Sequence, residues 1–409
     1  MLRSLTFTKW HVASLLFCLL FIASYVDAAT DFKSWQIHGF VTQSYTKTTD
    51  NQFYGNSSGK GSLDFTEIGI NASVKPFSNL QLASQLLSRR AGEIDNGDIK
   101  LDFALVDYRL FDDTVFGMGV RAGRVKNPIG FYNETRDVLF TRESIVLPQS
   151  IYFERARDVS LSSDGFHFYG HLQTPVGLLN GQFGIALPRV STANTEYALL
   201  GDDKPGSFIS EPSFVGRLRL DSINSRLSVA FSYIKLNMEY EPKASEAGFS
   251  GNSEVSFDLR IFSIRYNMMK WSFTSEYAQR RFMFTGMPYI PPPANNKVGE
   301  SLYFQSIYRF SHRWQYIARY DVLFSDRHDR NGEAFVAGIA ALGQTVNAFS
   351  RYAKDFMLGV QLNISPNWMA RLEAHSVDGT AWLPSQDNPD PALTKRYWNM
   401  VNIAMSYRF

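Results

Sequence analysis

The strongest constraint on this chain is that its connections are sorted by length. Apolar alternation runs over about 34–46, 62–75, 79–89, 98–110, 114–124, 159–172, 178–188, 212–221, 225–239, 254–267, 270–284, 300–311, 313–325, 353–364, 367–377 and 395–409, sixteen stretches in all. Long gaps such as KTTDNQFYGNSSGKG, PRVSTANTEYALLGDDKPGSFISE and DRHDRNGEAFVAGIAALGQTVNAFSRYA take turns with KPFSN, FDDT, TPVG, DSINS, NMMK, SHR and SPN. A soluble sandwich or propeller has no reason to place its long loops at one end. A transmembrane barrel does, because its outside loops are long and its periplasmic turns tight. An even strand number with both ends on the short-turn side also closes the sheet without a bare edge. The expected fold is all-β, a 16-stranded antiparallel transmembrane β-barrel over residues 29–409.

The strand faces agree with this reading. In SVAFSYIKL, Val229, Phe231 and Tyr233 alternate with Ser228, Ala230 and Ser232. In HRWQYIARYDVLF, Trp314, Tyr316, Ala318, Tyr320, Val322 and Phe324 share a side against Gln315, Arg319 and Asp321. Trp35, Tyr45, Trp271, Tyr277, Tyr308, Trp314, Trp368 and Tyr407 fit aromatic girdles at headgroup depth. The ending RYWNMVNIAMSYRF puts Tyr397, Val401, Ile403, Met405, Tyr407 and Phe409 on one side, which reads as a lipid-facing row. One strand breaks phase. VSFDLRIFSIRYN is apolar at Val255, Phe257, Leu259 and Ile261 and then at Phe262, Ile264 and Tyr266, which predicts a bulge.

The first residues supply the compartment. Arg3 and Lys9 precede an apolar run from about Val12 to Ser24, shorter than the roughly 20 residues of a spanning helix, and Val26-Asp27-Ala28 offers a cleavage site. Residues 1–28 read as a signal peptide. The single cysteine, Cys18, lies inside it after Phe17, so the exported protein is expected to carry no thiol, disulfide or thiolate metal site. Loss of Arg3, Lys9 and Asp27 moves the formal charge from +2 to +1, which gives no reason to expect nucleic acid as a partner.

An Arg or Lys facing lipid at the bilayer midplane costs about 2–4 kcal/mol, so strand charges are expected to face the lumen. Alternation assigns to the inner wall Glu67, Asn71, Lys100, Asp102, Arg121, Arg217, Arg219, Arg226, Asp258, Arg260, Glu276, Arg280, Arg309, Arg319, Asp321, Arg371 and Glu373. About sixteen strands enclose more space than side chains fill, so the interior is expected to be an aqueous channel.

The stretch GRVKNPIGFYNETRDVLFTRESIVLPQSIYFERARDVSLSSDGF is the most distinctive. Its GRVKNPIG element resembles the loop region after a Gly-Arg strand end in Gram-negative outer-membrane porins of the superfamily with phosphate-selective and dicarboxylate-selective members. The resemblance implies that this third long loop, residues 125–158, folds into the lumen as a constriction. It would bring Lys126, Arg136, Arg142, Arg155 and Arg157 to face Arg121, Arg124 and the later arginines, with Glu134, Asp137, Glu143, Glu154 and Asp158 as acidic partners. Some of these residues pair locally in such a loop and only hold it down. The interleaved carboxylates oppose strong anion selectivity, and a transverse field is as consistent with them as a mild anion preference. Tyr407 and Phe409 resemble the sorting signal read by the barrel-insertion machinery. The same resemblance implies a homotrimer, a surrounding bilayer and lipopolysaccharide, passive diffusion of small hydrophilic solutes, and no cofactor.

Other classes have less support in the sequence. His167 and His171 share a strand face but stand roughly 13 Å apart along it, too far for one metal ion. G-x-S-x-G occurs once, as Gly55-Asn56-Ser57-Ser58-Gly59 inside a long gap and not between a strand and a helix, and neither H-E-x-x-H nor G-x-x-x-x-G-K-[ST] occurs, so no enzyme is expected. Strand one begins too soon after the cleavage site for a plug domain. A gated or non-conducting barrel acting as an adhesin or structural protein is the alternative, and an open or occluded lumen separates the two.

Overall fold

Sixteen strands pair in sequence order and β1 closes on β16, all antiparallel. The computed structural model describes residues 33–409 except 191, 247, 250, 289 and 291–293. The expected signal peptide, residues 1–28, lies outside the described residues. The strands are β1 Lys33–Thr48, β2 Ser62–Phe77, β3 Leu80–Ala91, β4 Asp95–Asp112, β5 Phe116–Lys126, β6 Ser162–Thr174, β7 Gly177–Pro188 and β8 Ser207–Ser222. They continue as β9 Leu227–Glu241, β10 Ser253–Asn267, β11 Trp271–Thr285, β12 Asn296–Arg309, β13 Trp314–Phe324, β14 Tyr352–Asn363, β15 Trp368–Gly379 and β16 Tyr397–Arg408. Short turns gather at one end and long loops at the other, with the link 92–94 as the short connection on the loop side. No helix among the described residues is long and apolar enough to cross a membrane.

The exterior is apolar over a band of successive outward positions. On β9 to β13 these include Phe231, Phe262, Ile264, Leu302, Phe304, Tyr316 and Tyr320, all strongly exposed. Water would make that arrangement costly, whereas lipid tails are a matching solvent. At the short-turn edge, Trp271 stands 4.7 Å from Tyr308 and Trp368 4.8 Å from Tyr407, centroid to centroid, as a girdle requires. Val401, Ile403, Met405, Tyr407 and Phe409 are on the outside of β16. Gly39 on β1 leaves room for the last ring: a Cβ there would lie 2.4 Å from Phe409 Cζ.

The phase break in β10 is not a bulge. Its pairing with β9 and with β11 runs without a register shift. Val255, Leu259 and Ile261 point inward and are buried, while Phe262, Ile264 and Tyr266 point outward. What changes along the strand is its surroundings. The loop-side half stands above the apolar band, so its interior is packed with hydrophobic residues and its exterior carries Glu254, Asp258 and Arg260. The expectation that Asp258 and Arg260 line the lumen is thereby corrected; Asp258 accepts a hydrogen bond from the outward Tyr233 hydroxyl at 3.1 Å.

Candidate functional site

The third loop-side connection, residues 127–161, which is the loop expected to form the constriction, crosses the inside of the barrel. Gly130 N donates to Ser232 Oγ on β9 at 3.1 Å, and Arg217 Nη1 on β8 donates to Gly130 O at 2.9 Å. Glu276 on β11 is the focal acceptor: Oε1 takes Phe131 N at 3.0 Å and Ser263 Oγ at 2.6 Å, and Oε2 takes Tyr152 Oη at 2.7 Å and Tyr303 Oη at 2.9 Å. Across the lumen, Glu373 on β15 accepts from Ile145 N at 2.5 Å and Val146 N at 3.2 Å. Arg319 on β13 donates to Ser144 Oγ at 2.9 Å, and Arg371 on β15 to Arg142 O at 3.1 Å. These wall groups replace the strand partners that the loop backbone lacks.

Two apolar clusters cement the loop. Ile129, Tyr132, Leu147, Ile151 and Tyr152 pack on Ile234, Leu236, Leu259 and Ile261 of β9 and β10. Leu139, Ile145 and Val146 pack with Phe53, Trp382, Trp398 and Met400 on the opposite side. The loop-side half of the barrel therefore has a hydrophobic core, which corrects the expectation of an interior left wholly to water.

Most of the loop charges expected in the constriction form a buried network near β2 to β5. Arg89 on β3 bonds Glu67 at 3.2 Å, Asp95 at 2.8 Å and Glu154. Arg136 meets Glu154 at 3.0 Å, Arg142 meets Glu67 at 2.8 Å, and Lys126 meets Asp102 at 2.8 Å. Asp137 binds both Lys126 and Arg157. Burial alone would raise the Glu154 carboxyl, but Arg89, Arg136 and Arg142 hold it below its ordinary value. Lys126, Arg136, Arg142 and Arg157 are nearly inaccessible and serve to dock the loop. Removing one partner of such a pair leaves an uncompensated buried charge, at a cost of about 3–5 kcal/mol.

The groups open to solvent lie elsewhere. Between the loop and β5 to β8 a cleft of about 400 Å3 is lined by Arg121, Glu134, Tyr169, Gln182, Arg217 and Arg219. Arg121 bonds Asp107 at 2.9 Å and lies over the Tyr169 ring at 4.5 Å. Arg217 bonds Glu134 at 2.6 Å, and Arg219 bonds Asp221 at 2.8 Å. Phe131, on the loop, is flanked by Arg219 at 5.6 Å and Arg265 at 4.8 Å. A second basic group, around Arg155, is less open: Arg280 is buried, and Arg155 and Arg351 are half-buried. Arg155 and Arg280 stand 5.6 and 4.6 Å from the Phe153 centroid, with Arg351 close by. Burial and the neighbouring Arg351 lower the Arg155 guanidinium to about 10. Among the described residues none of these three has a carboxylate within ion-pair distance.

Two other placements differ from expectation. Arg124 belongs to the exterior: β5 pairs it with Ala104 and Asp164 in the outward row, and its guanidinium bonds Asp164 at 2.7 Å. Gly123, at φ +119°, and the pleat put Arg121 and Arg124 on opposite faces. Arg226 sits in the exposed turn between β8 and β9, and not on the wall. Arg309 ends β12 at the short-turn rim, and Glu143 is half-buried on the loop. Sequence reasoning missed Arg89, Arg265, Phe131, Phe153 and Arg351. Neither Arg89 nor Arg265 was among the positions assigned to the inner wall, and nothing in the sequence marked the two rings or Arg351 as their companions.

The sequence matches no protein-family model and no curated protein. Solved structures are similar over nearly the full barrel. The anion-selective porin from Comamonas acidovorans is 12% identical with a TM-score of 0.57, covering 92% of this chain and 99% of that one. The outer-membrane channel DcaP of Acinetobacter baumannii is 11% identical with a TM-score of 0.54, covering 92% and 97%. OmpT of Vibrio cholerae, an outer-membrane protein, is 9% identical with a TM-score of 0.55, covering 93% and 99%. The apolar exterior makes this chain a membrane barrel, and its fold is that of outer-membrane porins.

Proposed function

We propose that this protein is a porin of a Gram-negative outer membrane that passes small hydrophilic solutes by diffusion, with a mild preference for anions. The observation that carries the reading is the third loop, held across the lumen and leaving a polar cleft against β5 to β8. Arg121, Arg217 and Arg219 line the wall of that cleft, with Glu134 on the loop and Asp107 and Asp221 beside them. Opposite charges at close quarters create a field that orders water and favours small polar solutes. The anion preference rests on Arg155, Arg280 and Arg351, three guanidiniums without paired carboxylates on the loop's course.

A homotrimer in a lipopolysaccharide-containing membrane is part of the proposal, as is insertion directed by Tyr407 and Phe409. No catalytic role is assigned. A second reading, a gated barrel that conducts only when the third loop moves, is favoured by the number of wall strands to which that loop is bonded. Purified protein in a planar bilayer tests both. Conductance steps in multiples of three, with a reversal potential shifted toward the anion potential in a salt gradient, support the porin. A folded but silent barrel refutes it in favour of the gated reading.

A further inference from the structure

The loop end of the barrel holds a second cleft, outside the lumen constriction. It encloses about 550 Å3 and is lined by Gln52 and Asn56 of loop 49–61, Glu93 of link 92–94, Tyr197 of loop 189–206, and Gln386 and Asp387 of loop 380–396. That volume falls within the usual range for small-ligand sites.

The cleft is built by the loops bonding to one another. Gln52 N donates to Asn388 Oδ1 at 3.0 Å, and Asn388 Nδ2 returns a bond to Gln52 O at 2.8 Å. Gln386 Nε2 reaches Asn194 Oδ1 at 3.3 Å, and Glu93 N donates to Asp387 Oδ1 at 2.9 Å. Gly92, at φ +57°, lets the link pass over this carboxylate: a Cβ there would lie 2.5 Å from Asp387 Oδ1 and 2.4 Å from Gly55 N. Only glycine fits such an approach at that backbone angle without strain.

Two buried acceptors are left without a hydrogen bond after these contacts. Asp387 is 8% exposed, and although the amides of Tyr54 and Gly55 lie alongside its carboxylate, Oδ2 has no hydrogen bond; Gln386 Oε1 is likewise buried and unbonded. Burial, with Glu93 beside it, raises the Asp387 carboxyl above its ordinary value. No lysine or arginine lines the cleft among the described residues. Acceptors without donors, and two carboxylates without a cation, call for a ligand that brings both.

We propose that this cleft is an extracellular binding site for small hydroxylated amines, of which amino sugars are the model. The protonated amine would lie between Glu93 and Asp387, hydroxyls would meet Gln386 Oε1 and Asn56, and the Tyr197 ring would offer a face to the cation. Isothermal titration of the folded barrel with glucosamine and with glucose tests this without reference to conductance, so it stands or falls apart from the pore. Glucosamine should bind at least tenfold more tightly than glucose. Glu93→Gln, at an exposed position that the fold tolerates, should weaken glucosamine about tenfold, the worth of a charge-assisted hydrogen bond. Asp387→Asn should do at least as much, with heat-modifiable migration on gels confirming a folded barrel. Equal binding of glucose and glucosamine would overturn the amine assignment. No heat from either sugar, or wild-type affinity in Glu93→Gln, would overturn the site.

Discussion

Glu276→Gln tests whether the third loop is held by the bonds described above. The substitution keeps shape and removes one charge. In the native barrel the carboxylate accepts four hydrogen bonds, two per oxygen, from Phe131 N, Ser263, Tyr152 and Tyr303. An amide has one acceptor oxygen, so two of the four donors would face an NH2 group. Tyr152 cannot simply turn to accept, because its oxygen already takes Phe131 N at 2.9 Å and Tyr132 N at 3.1 Å. Two charge-assisted hydrogen bonds at about 1.5–3 kcal/mol each amount to roughly 3–6 kcal/mol. Even the lower figure raises the ratio of undocked to docked loop about 100-fold. Single-channel recording should show larger or flickering conductance, and trypsin should cut within 127–161 where the native barrel resists. Native conductance together with native protease resistance in Glu276→Gln would refute the anchoring argument.

Arg217→Gln with Arg219→Gln should lower the anion-to-cation permeability ratio, measured as reversal potential, whereas Arg124→Gln should leave it unchanged because that side chain is outside. Gly39→Val should displace the Phe409 ring, and both it and deletion of Phe409 should reduce the heat-modifiable folded barrel recovered from outer membranes; normal assembly of both would sink the sorting-signal reading. In loop 189–206, burial with Asp203 nearby raises the Glu196 carboxyl to about 7, above its unfolded value near 4.5. The folded loop therefore binds the proton more tightly, its stability is full below about pH 4.5, and it declines as pH rises toward 7. Protection of the amides of residues 193–205, taken relative to the intrinsic exchange rate at each pH, should fall across that window in the native protein and not in Glu196→Gln.

The barrel was legible in the sequence because a strand crossing a membrane between water and lipid has to alternate. Val229, Phe231 and Tyr233 carry their side assignment in the pattern itself, and the gap lengths tell which end is which. The same reasoning supplied the inward positions of Arg217, Arg219, Glu276, Arg319 and Glu373. It failed at Asp258 and Arg260, since alternation gives a side and not a height: above the membrane the inside of β10 is the apolar face. It failed at Arg124 because one glycine-rich strand end was read as a single basic surface when the pleat divides it.

The sequence by itself determined strand number, handed alternation, girdles and the presence of a long third loop, all consequences of local period and solvent. Only the tertiary structure decided that Lys126, Arg136, Arg142 and Arg157 are buried ties, while Arg121, Arg217 and Arg219 border open space. Which charge meets which partner depends on contacts between residues as far apart as Ile145 and Glu373. No local period encodes a contact of that range; it exists only once the barrel has closed around the loop.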